Sequence, residues 1–154
     1  MRHPWYTISL FGKPPKRVEM NNSILLSSEE LLELEPILAF QSERAKFKMT
    51  LDRHLNKWAK FVARVENGYP YGIEDYANDL SVRNLLQEIM DACSQSIRNK
   101  LQEWIEVWDS RFFQATKKVG KPLWNLKPEE MNWWWYRVPL KLDGDLKNYL
   151  EYWQ

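Results

Sequence analysis

This 154-residue sequence predicts an all-α domain: an antiparallel pair of long helices, about residues 36–66 and 82–118, with an irregular N-terminal arm and a Trp-rich C-terminal tail packed on them. Three observations carry the prediction. Apolar residues recur at helical spacing in both segments. Asn67-Gly68, with Pro70 and Gly72 beyond, forms a helix stop between them. The segments also carry opposite charge: residues 37–66 hold seven basic and three acidic side chains, and residues 67–110 hold three basic and eight acidic. Facing flanks of opposite sign favour the pairing, although exposed ion pairs contribute only about 0–1 kcal/mol each. The apolar stripes must supply most of the stabilisation.

In chain order, residues 1–26 read as an extended arm, broken by Pro4, Gly12-Lys13-Pro14-Pro15 and Asn21-Asn22. Its Trp5, Tyr6, Ile8, Leu10 and Phe11 have the makings of a short strand, but the favoured expectation is an arm laid across helices. Ser27 and Glu30 have capping-box spacing, so a short helix is expected at 28–34. Pro36 then interrupts it and opens the first long helix. That helix carries Phe47, Leu51, Leu55, Trp58, Val62 and Val65 on one stripe, at the period of an α-helix. Residues 69–80 read as a loop with one helical turn, and Ser81 as the cap of the second long helix. Its stripe runs Val82, Leu86, Ile89, Cys93, Ile97, Leu101, Trp104, Trp108 and Phe112. The mean step of this stripe is slightly longer than that of an ideal helix, which suits a globular bundle rather than a left-handed coiled coil. Gly120 and Pro122 end it. In the 119–154 tail, Pro128-Glu129-Glu130 starts a short helix that Pro139 closes, and Asp145 caps a last helix with Leu146, Tyr149, Leu150 and Trp153.

Composition narrows the function classes. The formal net charge is +1, so nothing global points to nucleic acid or a membrane surface. The single cysteine, Cys93, excludes an internal disulfide and a multi-cysteine metal site, and its place on the stripe implies a buried, inert thiol. No apolar run is long enough to cross a membrane, and no apolar core follows the first residues, so neither a membrane span nor a signal peptide is expected. A cytoplasmic location is the default. Phosphate-loop, dinucleotide, zinc-protease and nucleophile-elbow motifs are missing, and no cofactor is expected. His54, on a cationic helix, reads as a surface or boundary histidine.

Two constellations remain. Asp75 and Asp79 are four residues apart, as are Asp79 and Arg83, with Glu66 and Asp109 as acids that could approach. Carboxylates so spaced can hold Mg²⁺ or Mn²⁺ or share acid and base roles; the plainer reading is a cap plus an intrahelical ion pair. The second is Trp133-Trp134-Trp135-Tyr136-Arg137. Consecutive helical residues point about 100° apart, so three indoles cannot share one face and at least one should point outward. Trp, Tyr and Arg are also the residues enriched at binding hot spots. The plainer reading buries all three.

The leading expectation is therefore a non-catalytic protein-interaction module, of the kind a bacterial immunity, antitoxin or adaptor protein would supply, binding a partner through 133–137. The alternative is a ligand- or metal-binding protein or enzyme using Asp75, Asp79, Arg83 and Asp109. A weaker one is single-stranded nucleic-acid binding, by aromatic stacking beside Lys117, Lys118, Lys121, Lys127 and Arg137. The width of the second stripe also allows a homodimer that pairs two hairpins.

Overall fold

The computed structural model describes residues 24–122 and 132–153. The expectations for the arm at 1–23, for Lys127 and for a helix opening at Pro128 fall outside them. Within the described residues the fold is all-α, with five α-helices: α1 (Ser28–Ala45), α2 (Leu51–Asn67), α3 (Ile73–Ala92), α4 (Gln95–Gln114) and α5 (Asp145–Trp153). A small antiparallel pair, β1 (Thr116–Lys118) with β2 (Arg137–Pro139), and a 3₁₀ turn at Trp133–Tyr136 complete it.

Each of the two long helices is divided in two. The first is not broken at Pro36, which sits inside α1 on its exposed face. There the Leu32 carbonyl, deprived of an N–H partner, can be served by water. The break comes at Lys46, which adopts φ 67°, and α2 restarts at Thr50, whose hydroxyl accepts from the Arg53 N–H. Phe47 consequently leaves the stripe and lies half-exposed beneath the Arg53 guanidinium, 4.8 Å from the ring centroid. The capping box is present, Ser27 and Glu30 each bonding the other's backbone N–H.

The second long helix begins earlier than its stripe suggested, at Ile73 after Gly72, so residues 73–80 are regular helix rather than loop. Ser81 is not a cap: its hydroxyl donates back to the Asn78 carbonyl within α3. The helix stops at Cys93-Ser94, both in extended conformation, and reverses into α4. Neighbours stabilise this break. Arg98 donates to the carbonyls of Met90 and Cys93, and Glu33 of α1 accepts from the Ser94 N–H. Those contacts satisfy groups that a helix end leaves open. After Gln114 the chain extends into β1 instead of continuing to 118.

The central element is α3, which touches each of the other four helices. It packs antiparallel to α2, with Phe61 against Tyr76 and Tyr69 hydrogen-bonded to Asp79, and antiparallel to α1, with Gln41 on Leu85. Both stripes are interior: Leu55, Trp58, Val62 and Val65 of α2 meet Leu80, Leu86 and Ile89 of α3 and Ile97, Leu101 and Phe112 of α4. Cys93 is buried, and burial raises its thiol pKa. His54 is not a surface residue. It is 1% exposed, because it lies one turn before Trp58 and three residues after Leu51, on the inward face. Opposite charges do meet across the elements, in Arg44–Glu88 and Arg64–Asp79.

Candidate functional site

The tail is anchored through its backbone before it presents any side chain. After the aromatic turn, the chain is tied to the α2–α3 connection: the Tyr69 N–H donates to the Lys141 carbonyl, Asp143 N–H to Tyr69, and Leu146 N–H to Tyr71. Gly144, at φ +85°, passes so close to Pro70 that a Cβ there would collide with its carbonyl oxygen. Buried Tyr76 donates its hydroxyl to the Arg137 carbonyl at 2.8 Å.

On this base the three tryptophans divide. Trp134 and Trp135 are buried, 2% and 3% exposed, and both indole N–H groups donate to the Oδ1 of Asn84, at 2.8 and 3.1 Å. Asn84 supplies the acceptor that buried indoles need. Trp133 turns outward, 40% exposed, with its ring edge-on to those of Trp134 and Phe113. With Phe113, Lys118, Tyr136 and Arg137 it lines an open cleft of about 440 Å³.

Arg137 is a wall of this cleft and not a mobile cation. Its guanidinium donates to Thr116 Oγ1 at 2.7 Å and to the carbonyls of Thr116 and Phe113, and it stacks 3.9 Å from the Phe113 ring centroid. Burial lowers its pKa from the usual guanidinium value. Lys118, exposed on β1, is the cleft's outward-facing cation among these five residues.

The acidic constellation is dispersed. Asp79 accepts from the Tyr69 hydroxyl at 2.7 Å and lies 3.8 Å from Arg64; burial raises its carboxyl pKa. Arg83 does not pair with Asp79 along its own helix. It crosses to Asp109 of α4 in a two-pronged pair, Nε to Oδ1 at 3.0 Å and Nη2 to Oδ2 at 2.9 Å. Asp109 also accepts from the Trp58 indole, and the Arg83 guanidinium lies 4.4 Å from the Trp134 ring centroid. Burial raises the Asp109 pKa while Arg83 opposes the shift. Glu66 is taken by Arg111, and Asp75 is exposed. Among the described residues no group of three or more His, Cys, Asp or Glu side chains is placed to hold a metal ion. Arg83, Asp109 and Asn84 thus form the seat of the tail, joining α2, α3, α4 and Trp134.

Sequence reasoning missed Asn84 and the buried polar group at the α1–α2–α3 junction. There His54 Nε2 lies 2.9 Å from Gln41 Oε1, and the Gln41 amide donates to the Leu85 carbonyl and Glu88 Oε1. The inward phase of His54 was the one signal in the sequence. Asn84 gives none, since its partners are fifty residues away. No family model, curated protein or solved structure matches this chain.

Proposed function

We propose that the chain is a non-catalytic protein-interaction module whose partner docks in the cleft of Phe113, Lys118, Trp133, Tyr136 and Arg137. The observation that carries the reading is the outward turn of Trp133 beside two indoles that are locked inward. A half-exposed tryptophan on a rigid base presents a large contact area at little cost in side-chain entropy. Lys118 gives the cleft a positive rim, so the fitting partner is a protein segment with an apolar side chain for Trp133 and Phe113 and a carboxylate for Lys118. An immunity, antitoxin or adaptor role would use such a surface. The enzyme and metal readings are weakened because Arg83, Asp109 and Asp79 are already engaged inside the fold. The nucleic-acid reading loses Arg137 to its internal hydrogen bonds. A homodimer loses its motive as well, since the stripe it would cover is covered within the chain.

A photocrosslinking residue in place of Trp133, with one at exposed Tyr149 as control, tests the proposal in the producing cell. One discrete protein adduct at 133 and none at 149 is expected. No adduct, the same adducts at both positions, or an adduct to nucleic acid would reject it.

A further inference from the structure

The outer face of α2 carries a row of cations that the cleft at Trp133 does not use. Arg53, Lys57, Lys60 and Arg64 follow one another at steps of four, three and four residues. They therefore lie within about 60° of one another around the helix axis and cover about 17 Å along it. Arg53, Lys57 and Lys60 are exposed and Arg64 is half-exposed, while Leu55, Trp58, Val62 and Val65 fix the opposite face of the helix in the core. Little of this charge is spent inside the fold. Among the described residues no hydrogen bond or ion pair reaches Lys57 or Lys60. Arg64 lies 3.8 Å from Asp79, whose carboxylate also accepts from the Tyr69 hydroxyl. Asp52 is the one acid on α2 before Glu66, and Glu66 is taken by Arg111. The formal net charge of +1 conceals the row, because α1 sets five glutamates against one arginine.

An aromatic ring lies at each end of the row. Phe47 is half-exposed beneath the Arg53 guanidinium, and Tyr71 is half-exposed with the Arg64 guanidinium 5.3 Å from its ring centroid. Lys46 and Lys48, both exposed, flank Phe47 and add positive charge at that end, whereas exposed Asp75, one turn before Asp79, reduces it at the other. Cations about 4.5–6 Å apart on a line can each meet a successive phosphate of an extended nucleic-acid strand. Exposed rings and guanidinium planes accept stacked bases, which an unpaired strand offers and a duplex does not. An anionic lipid surface or an acidic protein segment would use the cations and leave the rings unused. We infer that the α2 face binds single-stranded nucleic acid, with Arg53, Lys57, Lys60 and Arg64 on successive phosphates and Phe47 as the platform for a base. These are not the lysines beside Arg137 that the sequence suggested for such a ligand. The row shares no residue with the partner cleft at Trp133, and the inference is independent of that reading.

Fluorescence anisotropy of a labelled oligothymidylate of about 15 nucleotides, titrated with the full chain, provides the test. Four phosphate contacts give a slope of about −3 in log affinity against log salt, so binding should weaken about fifty-fold between about 50 and 200 mM salt. Lys57→Gln with Lys60→Gln should lose about tenfold or more at the lower salt and about halve the slope. Both positions are exposed, so circular dichroism should show the helices retained. Phe47→Ala should lose about fivefold or more with the slope unchanged. Lys141→Gln with Lys147→Gln removes the same charge from exposed positions at α5 and should bind within about twofold of wild type. No binding at the lower salt, equal losses in the two lysine pairs, or a duplex of the same sequence bound as tightly as the single strand would overturn the inference. Tighter binding to phosphatidylserine vesicles or to polyglutamate, lost with Lys57 and Lys60, would assign the row to a membrane or an acidic protein and overturn it as well.

Discussion

Lowering the pH from 7.5 to 5 should weaken the fold through His54. The Gln41 amide nitrogen is committed to Leu85 and Glu88, so its oxygen faces the imidazole, and His54 Nε2 carries the proton it donates. A second proton would charge a ring with almost no access to water. Burial, then the nearby Arg53 and Lys57, lower the pKa of this histidine to about 4, although Glu88 opposes them. In the unfolded chain the ordinary value of about 6.5 applies. Between those limits the unfolded chain binds one more proton than the native one, so stability falls as pH falls. The full effect is about 3 kcal/mol, of which about 2 kcal/mol disappears between pH 7.5 and 5. Glu30, held at about 2 by Lys100, Ser96 and the Ser27 N–H, loses its contribution only below its ordinary 4.5, outside this window. Asp79 and Asp109, with raised pKa values, act in the opposite sense, but equally in wild type and variant. Urea unfolding followed by tryptophan fluorescence, on wild type and His54→Gln at both pH values, measures the difference. The variant should be the less stable at pH 7.5 and lose about 2 kcal/mol less on acidification. Equal losses in the two proteins would show that protonation of His54 does not drive the weakening.

Two further substitutions test how the tail is seated. Asn84→Ala leaves two buried indole N–H groups without an acceptor and should cost about 2–4 kcal/mol; a near-UV circular dichroism spectrum and denaturant midpoint unchanged from wild type would count against that seat. Gly144→Ala places a side chain on positive φ and against the Pro70 carbonyl, so a loss of about 2 kcal/mol or more in thermal unfolding is expected. Gly120→Ala, which meets nothing within 4 Å, should shift stability by about 0.5 kcal/mol or less.

The sequence made the helical faces legible and left most of the breaks hidden. Leu51 through Val65 and Val82 through Phe112 are inward as their period requires, and Gly68, at φ +110°, ends α2 as expected. The visible punctuation at Pro36 misled, because proline on an exposed helical face removes one hydrogen bond that water can replace. The true breaks at Lys46 and Cys93-Ser94 contain neither glycine nor proline. They are held by Ser42, whose hydroxyl accepts from the Met49 N–H, and by Glu33 and Arg98. The second stripe did carry a trace of its break, since its mean step is longer than a straight helix keeps in phase. At the candidate site, helical geometry required one outward indole, but which one depended on Asn84, a partner invisible to local spacing. The acidic pattern failed for a related reason: Arg83 found its carboxylate on α4, not four residues away on its own helix.

Folding and binding come apart most clearly at the tryptophan triplet, where one indole faces outward and two are seated on Asn84. Trp133→Ala should lower stability by about 1–2 kcal/mol, against about 3–5 kcal/mol for Trp134→Ala. Trp133→Ala should also lose at least tenfold in affinity for the protein captured at position 133. A Trp133→Ala protein that is destabilised as much as Trp134→Ala, or that binds the partner as tightly as wild type, would contradict the assignment of Trp133 to the interface.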